Sequence, residues 1–110
     1  MPNPNDFSVL ADGSEQDLYN EIANRVVQAF VNVDAMLLGD TTTIKQYKIL
    51  TSGGSLVLVK STTLLGADGG LPGGAKVFST DPLSAPYGAR ITLTQTTGSY
   101  VTYPGSVDEV

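Results

Sequence analysis

Two pairs of acidic residues are the side chains here whose type and spacing could support acid–base chemistry. Asp17 and Glu21 lie four residues apart, which places them on one face if the segment is helical. Asp34 and Asp40 bracket the end of the same segment. Histidine, the usual general base near neutral pH, is absent. Solvated charges near a helix terminus explain these acids better than catalysis does, so we expect a protein that is not an enzyme.

The other candidate chemistry is weaker still. Without histidine or cysteine, Ser-His-Asp and Cys-His nucleophiles are excluded, and so are zinc sites built on those ligands. Lys60 and Ser61 are neighbours, but no Ser-x-x-Lys motif is present. The Gly-rich stretch 66–74, with Asp68, lacks the spacing of phosphate-binding loops and of calcium loops. We expect no catalytic residue, no metal ligand and no cofactor, and interpret this stretch as a flexible loop or as backbone that lies flat on a partner.

The charge of the chain limits its partners. Eleven acidic and six basic residues give a net charge of −5, and the basic residues are scattered along the sequence. Nucleic acids and anionic membranes are bound by clustered Lys and Arg, so we expect neither as a partner. Charged residues make up 15% of the chain, well below the usual fraction. Such a composition is typical of proteins that cover part of their surface in an assembly.

A helix is predicted over residues 15–38. The segment from Ser14 to Asp17 has the spacing of a capping box, with a hydroxyl followed three residues later by an acid. Gly39 follows the last apolar residue and can adopt the left-handed conformation that ends a helix. Between these signals, six residues recur at steps of three and four and form a predicted oligomer interface: Tyr19, Ile22, Val26, Ala29, Val33 and Met36. The alternative is a helix that packs on its own sheet.

After Gly39 the pattern changes to strands. About five are predicted, with turns rich in Gly, Pro and Thr between them. Residues 44–50 and 56–60 are predicted to form one hairpin, and residues 89–95 and 100–103 another. The run from Leu56 to Val59 is apolar at successive positions, which is typical of a strand covered on both faces. The predicted fold class is therefore α+β, with one N-terminal amphipathic helix followed by a small, mainly antiparallel β-sheet or sandwich.

The sequence predicts one domain with an arm before it. Residues 1–13 form an extended arm, residues 14–110 the domain, residues 43–104 its β-rich part and residues 105–110 a loose C-terminal tail. In the arm, Phe7, Val9 and Leu10 are interpreted either as part of a frayed terminus or as side chains that dock on a partner. Tyr100 and Tyr103 flank a predicted turn and form a possible ligand surface, unless they cap the edge of the β core.

An N-terminal arm, a helix and a low-charge, Thr- and Gly-rich β segment resemble the small virion proteins of tailed bacteriophages. The similar proteins are capsid decoration (cement) proteins and short head fibres. The resemblance implies a homotrimer or a regular array on a capsid, with no catalysis and no cofactor.

Two hypotheses follow. The first is a structural assembly protein of the virion, which binds itself as a homotrimer and binds a larger protein assembly such as a capsid. The second is a β module that binds carbohydrate or peptide through its tyrosines and the Gly-rich stretch. If the protein is not part of a virion, we expect it to be soluble, in an undetermined compartment.

Overall fold

The computed structural model describes residues 6–22 and 24–109, and 59% of them lie in strands. There are nine strands in this part of the chain. In order they are β1 (Asp6–Leu10), β2 (Gln16–Glu21), β3 (Arg25–Asn32), β4 (Thr41–Ile49), β5 (Leu56–Leu65), β6 (Val77–Ser79), β7 (Leu83–Ala85), β8 (Ala89–Thr97) and β9 (Thr102–Glu109). Two short 3₁₀ turns, Ala67–Gly70 and Pro72–Gly74, separate β5 from β6. None of the described helices is long and apolar enough to cross a membrane.

The strands form two antiparallel sheets that enclose one core. The first sheet has the order β1-β9-β3, with β6 and β7 both paired to the remaining edge of β3. The second has the order β2-β8-β4-β5. Buried side chains from both sheets belong to one apolar cluster, among them Val31 and Val107 from the first sheet and Ile91 and Leu93 from the second. The architecture is a β-sandwich.

The predicted N-terminal amphipathic helix does not exist, and the α+β fold class is wrong. The segment folds instead as β2, β3 and the turn that follows them. In β3 the buried residues are Val27, Ala29 and Val31, which alternate with a period of two. Ala29 fits both the predicted helical spacing and the strand period of two, and this is a coincidence. Valine is stiff at its first side-chain torsion and favours strands, and the sheet on either side of β3 supplies the packing that decides between the two patterns.

The predicted helix ends have other roles. The hydroxyl and backbone N–H of Ser14 both donate to Oδ1 of Asp12, at 2.5 and 2.9 Å, so the apparent capping box is a local turn. Gly39 does have a positive φ of 95°, but it lies in the turn in which the backbone N–H of Asp40 donates to the carbonyl of Leu37. Both sequence signals mark turns between strands.

The β-rich part is larger than predicted and is connected differently. The hairpin of β4 and β5 is confirmed, whereas the hairpin predicted between β8 and β9 is wrong, because these strands lie in different sheets. Residues 105–109, predicted as a loose tail, extend β9, which lies between β1 and β3 in the middle of the first sheet. The C-terminal segment is thus an interior element of the fold.

Residues 6–10 of the predicted arm are also part of the sandwich. They form β1, which pairs along β9 from Asp6 opposite Ser106 to Leu10 opposite Thr102. Phe7 and Val9 pack against the core, while Leu10 is exposed. Residues 1–5 of the arm lie outside the described residues.

A buried polar network joins the two sheets near the beginning of β4. The hydroxyl of Tyr103, in β9, is 2.6 Å from Oγ1 of Thr42 in β4 and donates to Oε1 of Gln95 in β8 at 3.0 Å. The amide nitrogen of Gln95 donates to the carbonyls of Thr97 and Ser99. All three side chains of the network are fully buried. Burial raises the pKa of the Tyr103 phenol, so the group stays neutral and can bridge the sheets.

Tyr103→Phe is expected to lower the free energy of unfolding by about 1–3 kcal/mol, because it leaves the buried hydroxyl of Thr42 without its tyrosine partner. Tyr100→Phe is the matched control: Tyr100 is half exposed, and its change should be within about 0.5 kcal/mol. Chemical denaturation followed by circular dichroism measures both. Equal losses in the two variants would contradict the assigned role of the network.

Candidate interaction surfaces

The outer face of the second sheet carries a polar cluster centred on Glu15, just before β2. Its Oε2 atom accepts hydrogen bonds from the hydroxyls of Thr92 and Tyr47, each at 2.6 Å. The bond from Thr92 first, and then that from Tyr47, lowers the pKa of Glu15 below its usual 4.5. The same bond to the carboxylate raises the pKa of Tyr47. The carboxylate is therefore held ionised and poorly suited to act as a general base.

An ion pair completes this cluster. Nε of Arg90 lies 2.6 Å from Oδ1 of Asp17, and the guanidinium carbon lies 5.6 Å from the centre of the Tyr47 ring. The bond to Asp17 raises the pKa of Arg90 further. The cluster attaches β2 and the residues before it to β8 and β4. Two carboxylates and one guanidinium give the cluster a net charge of −1, and each of the three charged groups is hydrogen-bonded within it.

The carboxylate pair Asp17 and Glu21 is not brought together. Asp17 is opposite Thr92 and Glu21 is opposite Ala89, so an irregularity in β2 between residues 17 and 19 directs the two acids to different faces of the sheet. A regular strand would also place residues four apart on one face, so the irregularity is what separates these two acids. The structure therefore offers no acid pair at this position.

The second acid pair is also separated. Asp34 is exposed, and its backbone N–H is bonded to the side chain of Asn32. Asp40 is buried, and its carboxylate accepts hydrogen bonds from the backbone N–H groups of Leu37, at 2.9 Å, and Ser99, at 3.2 Å. At neighbouring Gly98, where φ is 89°, an added Cβ would overlap the carboxyl group of Asp40. Asp40 therefore closes two turns.

The Gly-rich stretch 66–74 folds back on the sandwich. Gly69 is buried, and a Cβ there would lie 3.3 Å from side-chain atoms of both Val33 and Leu64. Oδ2 of Asp68 lies 2.7 Å from Nζ of Lys76, and this ion pair raises the pKa of Lys76. The carboxylate that was a candidate cation ligand in the sequence is thus paired within the chain. Among the described residues, no group of three acidic side chains lies close enough to hold a metal ion.

The predicted ligand surface loses one of its two tyrosines. Tyr103 is fully buried in the polar network and cannot meet a ligand, whereas Tyr100 is half exposed, with its hydroxyl beside Gly13. A second buried tyrosine, Tyr19, donates to Oε2 of Glu109 at 2.7 Å and so joins the two sheets. Burial and this carboxylate raise the pKa of Tyr19 far above its usual range.

The six residues of the predicted oligomer interface share no helical face. Four are buried in the core of this one chain and two are exposed on different strands or turns. The buried ones are Tyr19, Ala29, Val33 and Met36, and the exposed ones are Ile22 and Val26. These six residues follow the a/d spacing of a helix, but the segment is not helical, so the spacing does not place them on one face.

Two apolar surfaces of the described chain remain uncovered. One is the apolar end, which we define as Leu37, Leu38 and Leu65, at the tip of the sandwich where β4 begins and β5 finishes. The other is the β5 edge, defined as Leu56–Val59. The sequence analysis did not single out the first, and its prediction that Leu56–Val59 is covered on both faces is wrong, because β5 is an edge strand and these side chains are exposed. The sequence did carry a signal for the apolar end, namely the consecutive leucines before Gly39. The predicted helix included both of them, so their exposure was not expected.

Comparison with known protein families, with curated proteins and with solved structures finds no match.

Replacing the donors to Glu15 should shift its titration. Thr92→Val and Tyr47→Phe each remove one bond to the carboxylate, so each is expected to raise the pKa of Glu15 towards its usual 4.5. The carboxyl ¹³C chemical shift followed against pH measures this directly, with Tyr100→Phe as the control that leaves the titration unchanged.

The lowered pKa of Glu15 also makes the stability of the folded protein depend on pH. Since the pKa of Glu15 is lower in the folded state, the cluster contributes fully above pH 4.5, and its contribution is lost as the pH falls through the folded pKa. The wild-type advantage over Glu15→Gln should therefore shrink on acidification. An advantage that grows below pH 4.5 would contradict the assigned hydrogen bonds.

Proposed function

We propose that this protein is a non-enzymatic structural protein that works as a homo-oligomer attached to a larger protein assembly. The observation that carries the proposal is the apolar end. Leu38 is 93% exposed, and Leu37 and Leu65 are each 62% exposed. Three large aliphatic side chains grouped at one tip of a small domain are typical of an interaction site, whereas single exposed leucines are not.

The apolar end has a fixed backbone. The Leu37–Asp40 turn is closed by the bond from the N–H of Asp40 to the carbonyl of Leu37, and the buried carboxylate of Asp40 bonds back to the N–H of Leu37. The N–H of Gly66 donates to the carbonyl of Asp40 at 2.9 Å, which ties the end of β5 to this turn. A partner that binds here does not have to order the chain first, so little conformational entropy opposes binding.

The state of the polar side chains supports a role without catalysis. Three acidic side chains are engaged in the described structure: Glu15 with two hydroxyls, Asp17 with Arg90, and Asp40 with two backbone N–H groups. Using any of them as a base would first require breaking these bonds. The low fraction of charged residues, 15%, also favours a protein whose surface is partly covered by other chains.

The kind of larger assembly is proposed from the sequence. Of the features that resemble small phage virion proteins, the helix is absent from the described chain and the low-charge, Thr- and Gly-rich β segment remains; on that resemblance the larger assembly is a phage capsid, with the protein as a decoration or head-fibre protein, and this remains a prediction. The alternative, a carbohydrate- or peptide-binding module, is weakened by the burial of Tyr103, since a single exposed Tyr100 offers one ring for stacking. The assembly proposal uses surface that the fold does expose.

Sedimentation of lysate from cells that make the protein tests the proposal. We expect the wild-type chain in the particle fraction of a density gradient, at a fixed ratio to one other protein. The triple variant Leu37→Ser, Leu38→Ser, Leu65→Ser should move to the light fractions, because it removes the apolar contact surface without touching the core.

The matched control is Ile22→Ser. Ile22 is 85% exposed and lies at the opposite end of the sandwich, beside Gly88 and Ile49. This variant should sediment like the wild type. A wild-type chain found entirely in the light fractions, or a triple variant that stays with the particles, would contradict attachment through the apolar end.

A further inference from the structure

One edge of the second sheet is unpaired and apolar. Within the described residues, β5 pairs with β4 on one side and with no strand on the other. Leu56, Val57, Leu58 and Val59 are 36, 45, 49 and 49% exposed. Leu58 and Val57 lie opposite Tyr47 and Lys48, so the exposed side chains occupy both faces of the sheet. A strand apolar on both faces normally has a neighbour on each side.

Two of the three other sheet edges carry the usual protection against strand pairing, and the third, β1, has only five residues and begins at Asp6. The edge strand β2 contains Asp17, Asn20 and Glu21 and has an irregularity in its pairing. At the far edge of the first sheet, β6 and β7 have three residues each and are interrupted by Pro82. Charges, bulges, short strands and proline are the features that keep edges apart. β5 has ten residues with one irregularity in its pairing, at Val59, and its first four residues lack both charge and proline.

We propose that the β5 edge pairs antiparallel with the β5 edge of a second copy of this chain, and so forms a two-fold dimer with a continuous eight-stranded sheet. This inference rests on the proposed function, because it names the partner in the homo-oligomer. A two-fold axis perpendicular to the sheet keeps the inner face of one copy beside the inner face of the other. The same surface is then used on both copies, which is the commonest symmetry among oligomers.

Charge favours a second copy as the occupant of this edge. Each chain has a net charge of −5, yet Leu56–Val59 has no charge, and the one charged side chain of β5, Lys60, lies 2.5 Å from Asp81 of its own chain. Two β5 strands can therefore approach without like charges facing each other. Each strand also presents what the other needs, namely apolar side chains on both faces.

The apolar area exposed at the β5 edge is of the order that a dimer interface needs. The exposed fractions of Leu56–Val59 correspond to roughly 300 Å² of apolar surface per copy, and exposed Leu50 and the backbone edge extend the contact towards the ~800 Å² per partner of a standard interface. Pairing also satisfies the outward backbone groups of the strand. Since the opposite edge of the same sheet is the charged strand β2, the pairing closes at two copies and does not continue as a fibre.

The native mass of the full chain is the primary test. Light scattering on a sizing column, from sub-micromolar to about 100 µM, should show twice the chain mass of 11.5 kDa at the upper concentrations. Leu58→Lys should weaken dimerisation about 100-fold or more, because two like charges then lie in the pairing edge. Leu38→Lys, which adds the same charge at the apolar end, should dimerise like the wild type. Far-UV circular dichroism and thermal unfolding of all three proteins verify that each is folded.

Hydrogen exchange locates the interface independently of any variant. Backbone amides in 56–65 should exchange more slowly at a concentration above the dissociation constant than below it, while those of β2 should not change. Any of four results would overturn the proposal. They are a wild-type chain that is monomeric throughout the concentration range, a wild-type trimer, a dimer that persists in folded Leu58→Lys, and slowed exchange that occurs only outside β5.

The two proposals fail separately. If the wild-type chain forms no dimer but still sediments in the particle fraction, β5 pairing is overturned and attachment through the apolar end stands. A β5 dimer found together with a wild-type chain in the light fractions would support the pairing and overturn the attachment.

Discussion

The hydroxyl of Tyr103 meets Thr42 and Gln95 between the two sheets, and the strand that carries it is the last one described. β9 lies between β1 and β3, so the first sheet has no continuous set of hydrogen bonds until the C-terminal residues are in place. The three side chains of the network come from three different strands, and the contact between Tyr103 and Thr42 joins residues that are 61 positions apart in the sequence. Folding of this kind depends on closing long loops, and the core forms as one unit.

The buried polar side chains of the described residues are satisfied within the chain. Buried side-chain nitrogen and oxygen atoms of the described residues all have hydrogen-bond partners. Four ion pairs are recorded between described residues, and two of them, Arg90–Asp17 and Arg25–Glu109, hold strand β2 or β3 to a neighbouring strand. Polar interactions therefore stabilise this fold and leave little free chemistry. What the fold exposes without compensation is aliphatic surface.

That aliphatic surface is arranged in two places with different physical characters. The apolar end is a group of side chains at a rigid turn, suited to a pocket on another protein. The β5 edge adds a row of backbone donors and acceptors to its apolar side chains, which suits another strand. A small domain with one surface of each kind can join to itself and to something larger at the same time.

Sequence patterns located the turns of this protein well and the elements between them poorly. Ser14, Gly39 and the Gly-rich stretch do mark breaks in regular structure. The segment between the first two was misread because Tyr19, Val26, Ala29 and Val33 satisfy a helical spacing, while Val27, Ala29 and Val31 satisfy a strand spacing at the same time. Local propensity is too weak to choose when two periods coexist, and the neighbouring strands decide.

The sequence by itself determined the composition of the parts: apolar runs rich in β-branched residues, the β4–β5 hairpin, a low charge and an absence of histidine and cysteine. These are local or compositional properties, which need no partner in space. Tertiary structure decided which strands are neighbours, that β9 is interior, and that Tyr103 is buried while Leu38 and Leu56–Val59 are not. Burial is a property of a position between two sheets, and a residue acquires it from strands far away in the chain.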